Sequence, residues 1–126
     1  MMAKILIVDD SGMSRRTLRK ILEPAGYEIS EAEEGIVALE RYFLDKPDLV
    51  LLDLTMTGMY GVEVLNKLRE MDPQARVIIA SADIQSSTRE IVDAGGASAF
   101  INKPFTSEKV LSTVRMVLEG KTDATE

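Results

Sequence analysis

Asp48-Leu49-Val50-Leu51-Leu52-Asp53-Leu54-Thr55-Met56 is an apolar run that ends on a carboxylate. A second run of the same design, Lys4-Ile5-Leu6-Ile7-Val8-Asp9-Asp10, opens the chain and ends on two more. Short runs apolar at every position, bounded by polar residues, read as strands buried on both faces, as in a parallel sheet. Two such strands lying side by side in parallel bring their carboxyl ends together. Three acids then arrive at one edge, where they repel one another unless a cation intervenes.

The rest of the chain supplies the other parts of such a sheet. After Asp10, Ser11-Gly12-Met13-Ser14 leads into a helical segment to about Ala25, with Leu18, Ile21 and Leu22 at helix spacing and Arg15, Arg16, Arg19 and Lys20 on other faces. Pro24 and Gly26 end it. Residues 27–32 alternate apolar and polar, the pattern of a strand nearer an edge. A second helix runs from Glu34 to Leu44, with Ala38, Leu39, Tyr42 and Phe43 as its apolar side. Beyond Asp53, a loop with Gly58 and Gly61 leads into a helix over 62–71. A fourth strand follows at 75–81, then a helix from about Ser86 to Ala94 that stops at Gly95-Gly96. The fifth strand is 98–102, and the last helix, 107–119, carries Val110, Leu111, Val114, Val117 and Leu118, with Thr106 or Ser107 as its cap.

Five strands alternating with five helices predict an α/β fold: a doubly wound parallel sheet with helices on both faces. The chain of 126 residues is expected to be one domain over 1–126, with its core at about 3–120 and a loose polar tail at 121–126. A net charge of −6 argues against non-specific binding to nucleic acid or to an anionic membrane. The chain has neither cysteine nor histidine, which removes thiolate and imidazole from its metal and acid–base chemistry. No apolar stretch reaches transmembrane length, so a cytoplasmic location is expected.

Ligands of such sheets bind beyond the carboxyl ends of the strands. The unusual polar residues fall there: Asp9 and Asp10 after the first strand, Asp53 after the third, Ser81 after the fourth and Lys103 after the fifth. Taken singly, each has a plainer reading. Asp9 and Asp10 suit a helix cap, Asp53 a loop cap, Ser81 a cap, and Lys103 a solvated surface charge. Together they describe a phosphoryl site. The acids would hold Mg2+, which suits an oxygen-only donor set; Asp53 would be a carboxylate nucleophile; and Ser81 and Lys103 would bind phosphoryl oxygens. Pro104 fixes the turn after Lys103, and a cis Lys103-Pro104 bond would aim the ammonium at the site.

The ordered set Asp9-Asp10, Asp53, Ser81-Ala82, Asp-Ala-Gly-Gly-Ala at 93–97, Phe100 and Lys103-Pro104-Phe105 resembles the receiver domain of two-component response regulators, specifically single-domain CheY-like (chemotaxis-type) proteins. The resemblance covers essentially the whole chain. It implies the flavodoxin-like strand order 2-1-3-4-5. It also implies a phosphorylation-dependent switch in which Asp53 accepts phosphate from a sensor histidine kinase. Asp10, Asp53 and the backbone carbonyl of Thr55 would bind Mg2+, with Asp9 acting directly or through water. Lys103 would pair with the phosphoryl group, and Ser81 would move to bond it. Phe100, at the family's aromatic switch position, would change rotamer with Ser81 and alter the surface formed by the fourth helix, fifth strand and fifth helix.

The implied partners are the kinase, a downstream protein (a motor switch or a relay protein) and a phosphatase. Two departures from the family pattern stand out. Thr57 replaces the usual proline and Tyr60 a frequent aspartate, which predicts a more flexible loop after Asp53. Asn102, Thr113 and Met116 leave the expected output face with little positive charge. The alternative within the family is a single-domain phosphorelay intermediate; the readings from other classes are a small aspartyl-phosphate phosphohydrolase and a flavodoxin-like redox protein. Thr55 stands where a hydrolase would place a second catalytic acid, and the acids at 9 and 10 would repel a flavin phosphate.

Overall fold

The computed structural model describes residues 3–54, 61–82 and 92–120. Five strands, β1 (Lys4–Val8), β2 (Glu28–Ala32), β3 (Leu49–Leu52), β4 (Val77–Ser81) and β5 (Ala99–Asn102), form one sheet in the order β2-β1-β3-β4-β5. Every neighbouring pair is parallel. The described helices are α1 (Gly12–Leu22), α2 (Gly35–Asp45), α3 (Gly61–Met71) and α4 (Ser107–Leu118), with a 3-10 turn at Glu23–Ala25 extending α1. Apart from the helix expected from Ser86, the expected elements are present, with ends displaced by up to three residues. Of the helix expected from Ser86, residues 92–94 are helical and run into Gly95-Gly96, where Gly96 has φ +92°. Its remainder, the tail at 121–126, and Thr55, Thr57 and Tyr60 lie outside the described residues.

The central strands are apolar at every position because each face of the sheet meets a helical layer. Leu6, Val8, Val50, Leu52, Val77 and Ile79 pack with Ala38 and Tyr42 of α2 and Val64, Leu65 and Leu68 of α3. Ile5, Ile7, Leu49, Leu51, Ile78 and Ile101 pack with Leu18 and Leu22 of α1 and Val110, Val114 and Val117 of α4. Alternation along each strand thus sends successive side chains to opposite cores.

Two sequence expectations need correction. Phe43, assigned to the apolar side of α2, is 69% exposed, because Ala38 and Tyr42 already occupy the stripe that meets the sheet. Thr113, counted with the expected output face, is 4% exposed and sits between the buried residues of α4. No helix among the described residues is long and apolar enough to cross a membrane.

Candidate functional site

Register places the acids. β1 pairs with β3 so that Val8 lies opposite Leu52, and the next residues are Asp9 and Asp53. The Asp53 amide donates to the Val8 carbonyl at 2.9 Å, and the Asp9 amide to the Ala32 carbonyl at 3.1 Å. Both chains are thus still held by the sheet where the acids emerge. Asp9 and Asp53 are each 2% exposed, whereas Asp10 is exposed. One carboxylate oxygen from each of the three lies within 4.8 Å of the others.

The plainer reading of Asp9 and Asp10 as helix caps does not hold. The N-cap of α1 is Ser11, whose hydroxyl accepts from the Ser14 amide at 3.2 Å. Asp9 instead uses both carboxylate oxygens at the site: Oδ1 accepts from the Ser11 amide at 2.9 Å, and Oδ2 pairs with Lys103 Nζ at 3.0 Å. Burial pushes the Asp9 carboxyl above the usual carboxylate range; the Ser11 amide and Lys103 pull it back in part, and the Asp53 charge adds to the rise.

Ser81 and Lys103 come from the neighbouring strand ends. Ser81 is fully buried, and its hydroxyl donates to Asp53 Oδ1 at 2.9 Å. The Lys103 amide donates to the Ser81 carbonyl at 3.0 Å, which ties the end of β5 to that of β4. The Lys103-Pro104 bond is cis, as the sequence suggested. Lys103 Nζ lies 5.9 Å from the centre of the Phe105 ring, within cation–π reach. Phe100, opposite Ile79 in the β4–β5 register, is 8% exposed and belongs to the core shared with α2 and α3.

The structure therefore brings Asp9, Asp10, Asp53, Ser81 and Lys103 to one edge. The donors fit a hard divalent cation: three converging carboxylates, two of them buried, in a chain without histidine or cysteine. A different concavity, about 510 Å³ and lined by Tyr42, Phe43, Lys46, Pro47, Met71 and Asp72, opens at the amino end of β3. It is remote from every one of these groups, so the chemistry and not the size of a cavity locates the site.

Three residues that the sequence did not single out as parts of the site support it. Arg15 donates from Nη1 to the Asp9 main-chain carbonyl at 2.7 Å and from Nε to Glu31 at 2.8 Å. Gly61, noted in the sequence only as a loop residue, lets α3 approach Asp53. A Cβ at that position would stand 2.5 Å from Leu54 Cα and 2.6 Å from the Asp53 carbonyl oxygen. Its conspicuous signal is the glycine itself, at a helix start close behind an acid; Arg15 and Glu31 have no local signal.

Comparison with known proteins agrees with this geometry. Residues 5–115 match the response regulator receiver domain. The chain is 42% identical over 118 residues to the chemotaxis protein CheY of Bacillus subtilis, covering 91% of this chain and 97% of that one. It is 35% identical over 124 residues to the sporulation initiation phosphotransferase F of the same organism, covering 95% and 97%. Among solved structures, the CheX-CheY-BeF3-Mg+2 complex from Borrelia burgdorferi matches with a TM-score of 0.87 at 36% identity, over 91% of this chain and 88% of that one.

Proposed function

The chain belongs to the response regulator receiver domain family and works as a phosphorylation-based signalling switch, and on that premise we propose that Asp53 is the group that carries the phosphoryl. It is a signalling protein that handles its own phosphoryl group, not a conventional enzyme turning over a metabolite. The observation that carries the assignment is the Ser81 hydroxyl on Asp53 beside Lys103 on Asp9, at the one edge where three acids meet.

In the proposed step, an oxygen of Asp53 attacks the phosphorus of a phosphohistidine on a sensor kinase. A P–O bond forms as the P–N bond breaks, and the imidazole leaves as a neutral ring because its other nitrogen already carries a proton. Asp9, Asp10 and Asp53, with the main-chain carbonyl of Thr55, are the residues we assign to Mg2+. When bound, Mg2+ supplies charge neutralisation for the transferring group. Ser81 transfers its hydrogen bond from Asp53 to a phosphoryl oxygen, and Lys103 leaves Asp9 to pair with another. Phe100, already inside the core, follows Ser81 and reshapes the surface around β5 and α4.

For the output, the relatives named for chemotaxis favour a downstream protein target of the motor-switch kind; a phosphatase that resets the site and a cytoplasmic location complete this proposal. The second reading is a relay intermediate, and the 35% identical sporulation phosphotransferase supports it. Residues 1–126 act in either case as one receiver unit.

Incubation with Mg2+ and acetyl phosphate should label the wild type and leave Asp53→Asn unlabelled; equal labelling of both removes the assignment. Titrating the beryllofluoride-loaded chain against a motor-switch peptide and against a histidine phosphotransfer domain separates the outputs. Tighter binding of the peptide on loading supports the first, and loading-independent binding of the phosphotransfer domain alone supports the second.

A further inference from the structure

The phosphoryl chemistry makes no use of Arg15, yet this side chain is bound to the site from behind. Its guanidinium, 18% exposed, bridges the end of β1 and the end of β2: Nη1 donates to the Asp9 carbonyl oxygen at 2.7 Å, and Nε to Glu31 Oε1 at 2.8 Å. Glu31 is itself fixed from its other side, where Oε2 accepts from Arg19 Nε at 2.7 Å. Arg19 continues to Glu23 at 2.6 Å. The brace is therefore anchored in β2 and α1 and does not hang free.

The carbonyl held by Arg15 belongs to the peptide plane that joins Asp9 to Asp10. A peptide unit is rigid, so fixing its oxygen fixes the direction in which the chain enters Asp10. Asp9 and Asp53 are buried and placed by the sheet, but Asp10 is the exposed member of the three and begins where β1 has ended. We propose that Arg15 is a positioning residue for the acidic site, presetting Asp10 toward a divalent cation by holding the Asp9 carbonyl against Glu31. The inference rests on the metal reading given above.

Charge alone would give Arg15 the opposite effect. A guanidinium beside an acid cluster repels an incoming cation, so removing it should tighten binding. Removing a brace should loosen binding, as loss of a ligand's outer support does in other metal sites. The sign of the change separates the two.

The measurement is calorimetric titration of Mg2+ into the full chain, with thermal melts to report folding. Arg15→Met is expected to weaken binding about tenfold, with Arg15→Lys, which keeps the charge without the fork, in between. Arg19→Met removes the same charge and loosens the same ion network without touching Asp9, and is expected to stay within about twofold of wild type. Binding by Arg15→Met as tight as wild type or tighter overturns the proposal, and so does an equal loss in Arg19→Met. If Arg15→Met does not fold, Glu31→Gln takes its place, with binding weakened about threefold; unchanged binding overturns the proposal. Asp10→Ala completes the set. If it binds Mg2+ like wild type, the metal reading has failed; if it binds weakly while Arg15→Met does not, only the positioning role has failed.

Discussion

Lys103 is paired with Asp9, 3.0 Å from its Oδ2, while Ser81 donates a hydrogen bond to Asp53. The site thus contains its own cation, held on an acid whose carboxyl burial pushes upward. That ammonium competes with any metal for the Asp9 charge. Lys103→Met should therefore bind Mg2+ more tightly in the absence of phosphate, by about 1 kcal/mol or roughly fivefold, while accepting phosphoryl from acetyl phosphate more slowly. Weaker Mg2+ binding in this variant would show that Lys103 organises Asp9 for the metal instead of competing with it.

Ser81 should matter to both rate and folding. Its hydroxyl is fully buried and meets a charged acceptor, and hydrogen bonds to charged groups are worth about 1.5–3 kcal/mol. Ser81→Ala is expected to slow labelling of Asp53 by roughly tenfold or more and to lower stability by about 1–3 kcal/mol, because the buried Asp53 oxygen loses this donor. Labelling at the wild-type rate would leave Ser81 a purely structural contact.

Gly61 is a packing requirement of the loop closure behind Asp53. The atoms a Cβ would strike, Leu54 Cα and the Asp53 carbonyl oxygen, are main chain and cannot swing aside. Gly61→Ala should cost about 1–3 kcal/mol in urea unfolding and reduce Asp53 labelling as well. A variant as stable as wild type would mean that α3 can shift at no cost.

The pH dependence of stability should carry the mark of Glu31. Partial burial works to raise its pKa, but Arg19 and Arg15 together more than offset this and leave it below the usual value. A carboxylate with a depressed folded-state pKa adds stability above its unfolded pKa, and that stability is lost as pH falls through the folded value. Glu31→Gln should melt below wild type at pH 7, by about 1 kcal/mol or less because both ion pairs are partly solvated. The gap should close as the solution is taken below about pH 4. A gap that stays constant from pH 7 to pH 3 would exclude the ion pairs as its origin.

What the sequence shows and what it hides follow from the range of each signal. β1 and β3 were legible because a strand buried on both faces writes an unbroken apolar run, and their acids were legible because a carboxylate closes each run. Ser81 and Lys103 became legible once the strand ends were lined up. Arg15 was not: on α1 it looks like any solvated helix charge, and its meaning comes from Glu31, sixteen residues away on another element. Tyr42 was read correctly as part of an apolar stripe, but the hydrogen bond from its hydroxyl to Asp72, 2.8 Å long, joins the ends of two helices that share no local pattern. Phe43 was misplaced because apolar character alone cannot say which neighbour on a helix already fills the sheet-facing position.

The pairing of Asp9 with Lys103 joins the first strand's exit to the last strand's. During synthesis the ribosome delivers Asp9, Asp10 and Asp53 long before it delivers Lys103. Until β5 docks beside β4, the acids of a nascent chain meet without their internal counter-charge, a disfavoured arrangement. The final strand is therefore where charge closure and completion of the sheet coincide, and a stop before Lys103 removes its charge together with Val110, Val114 and Val117, which cover one face of the sheet.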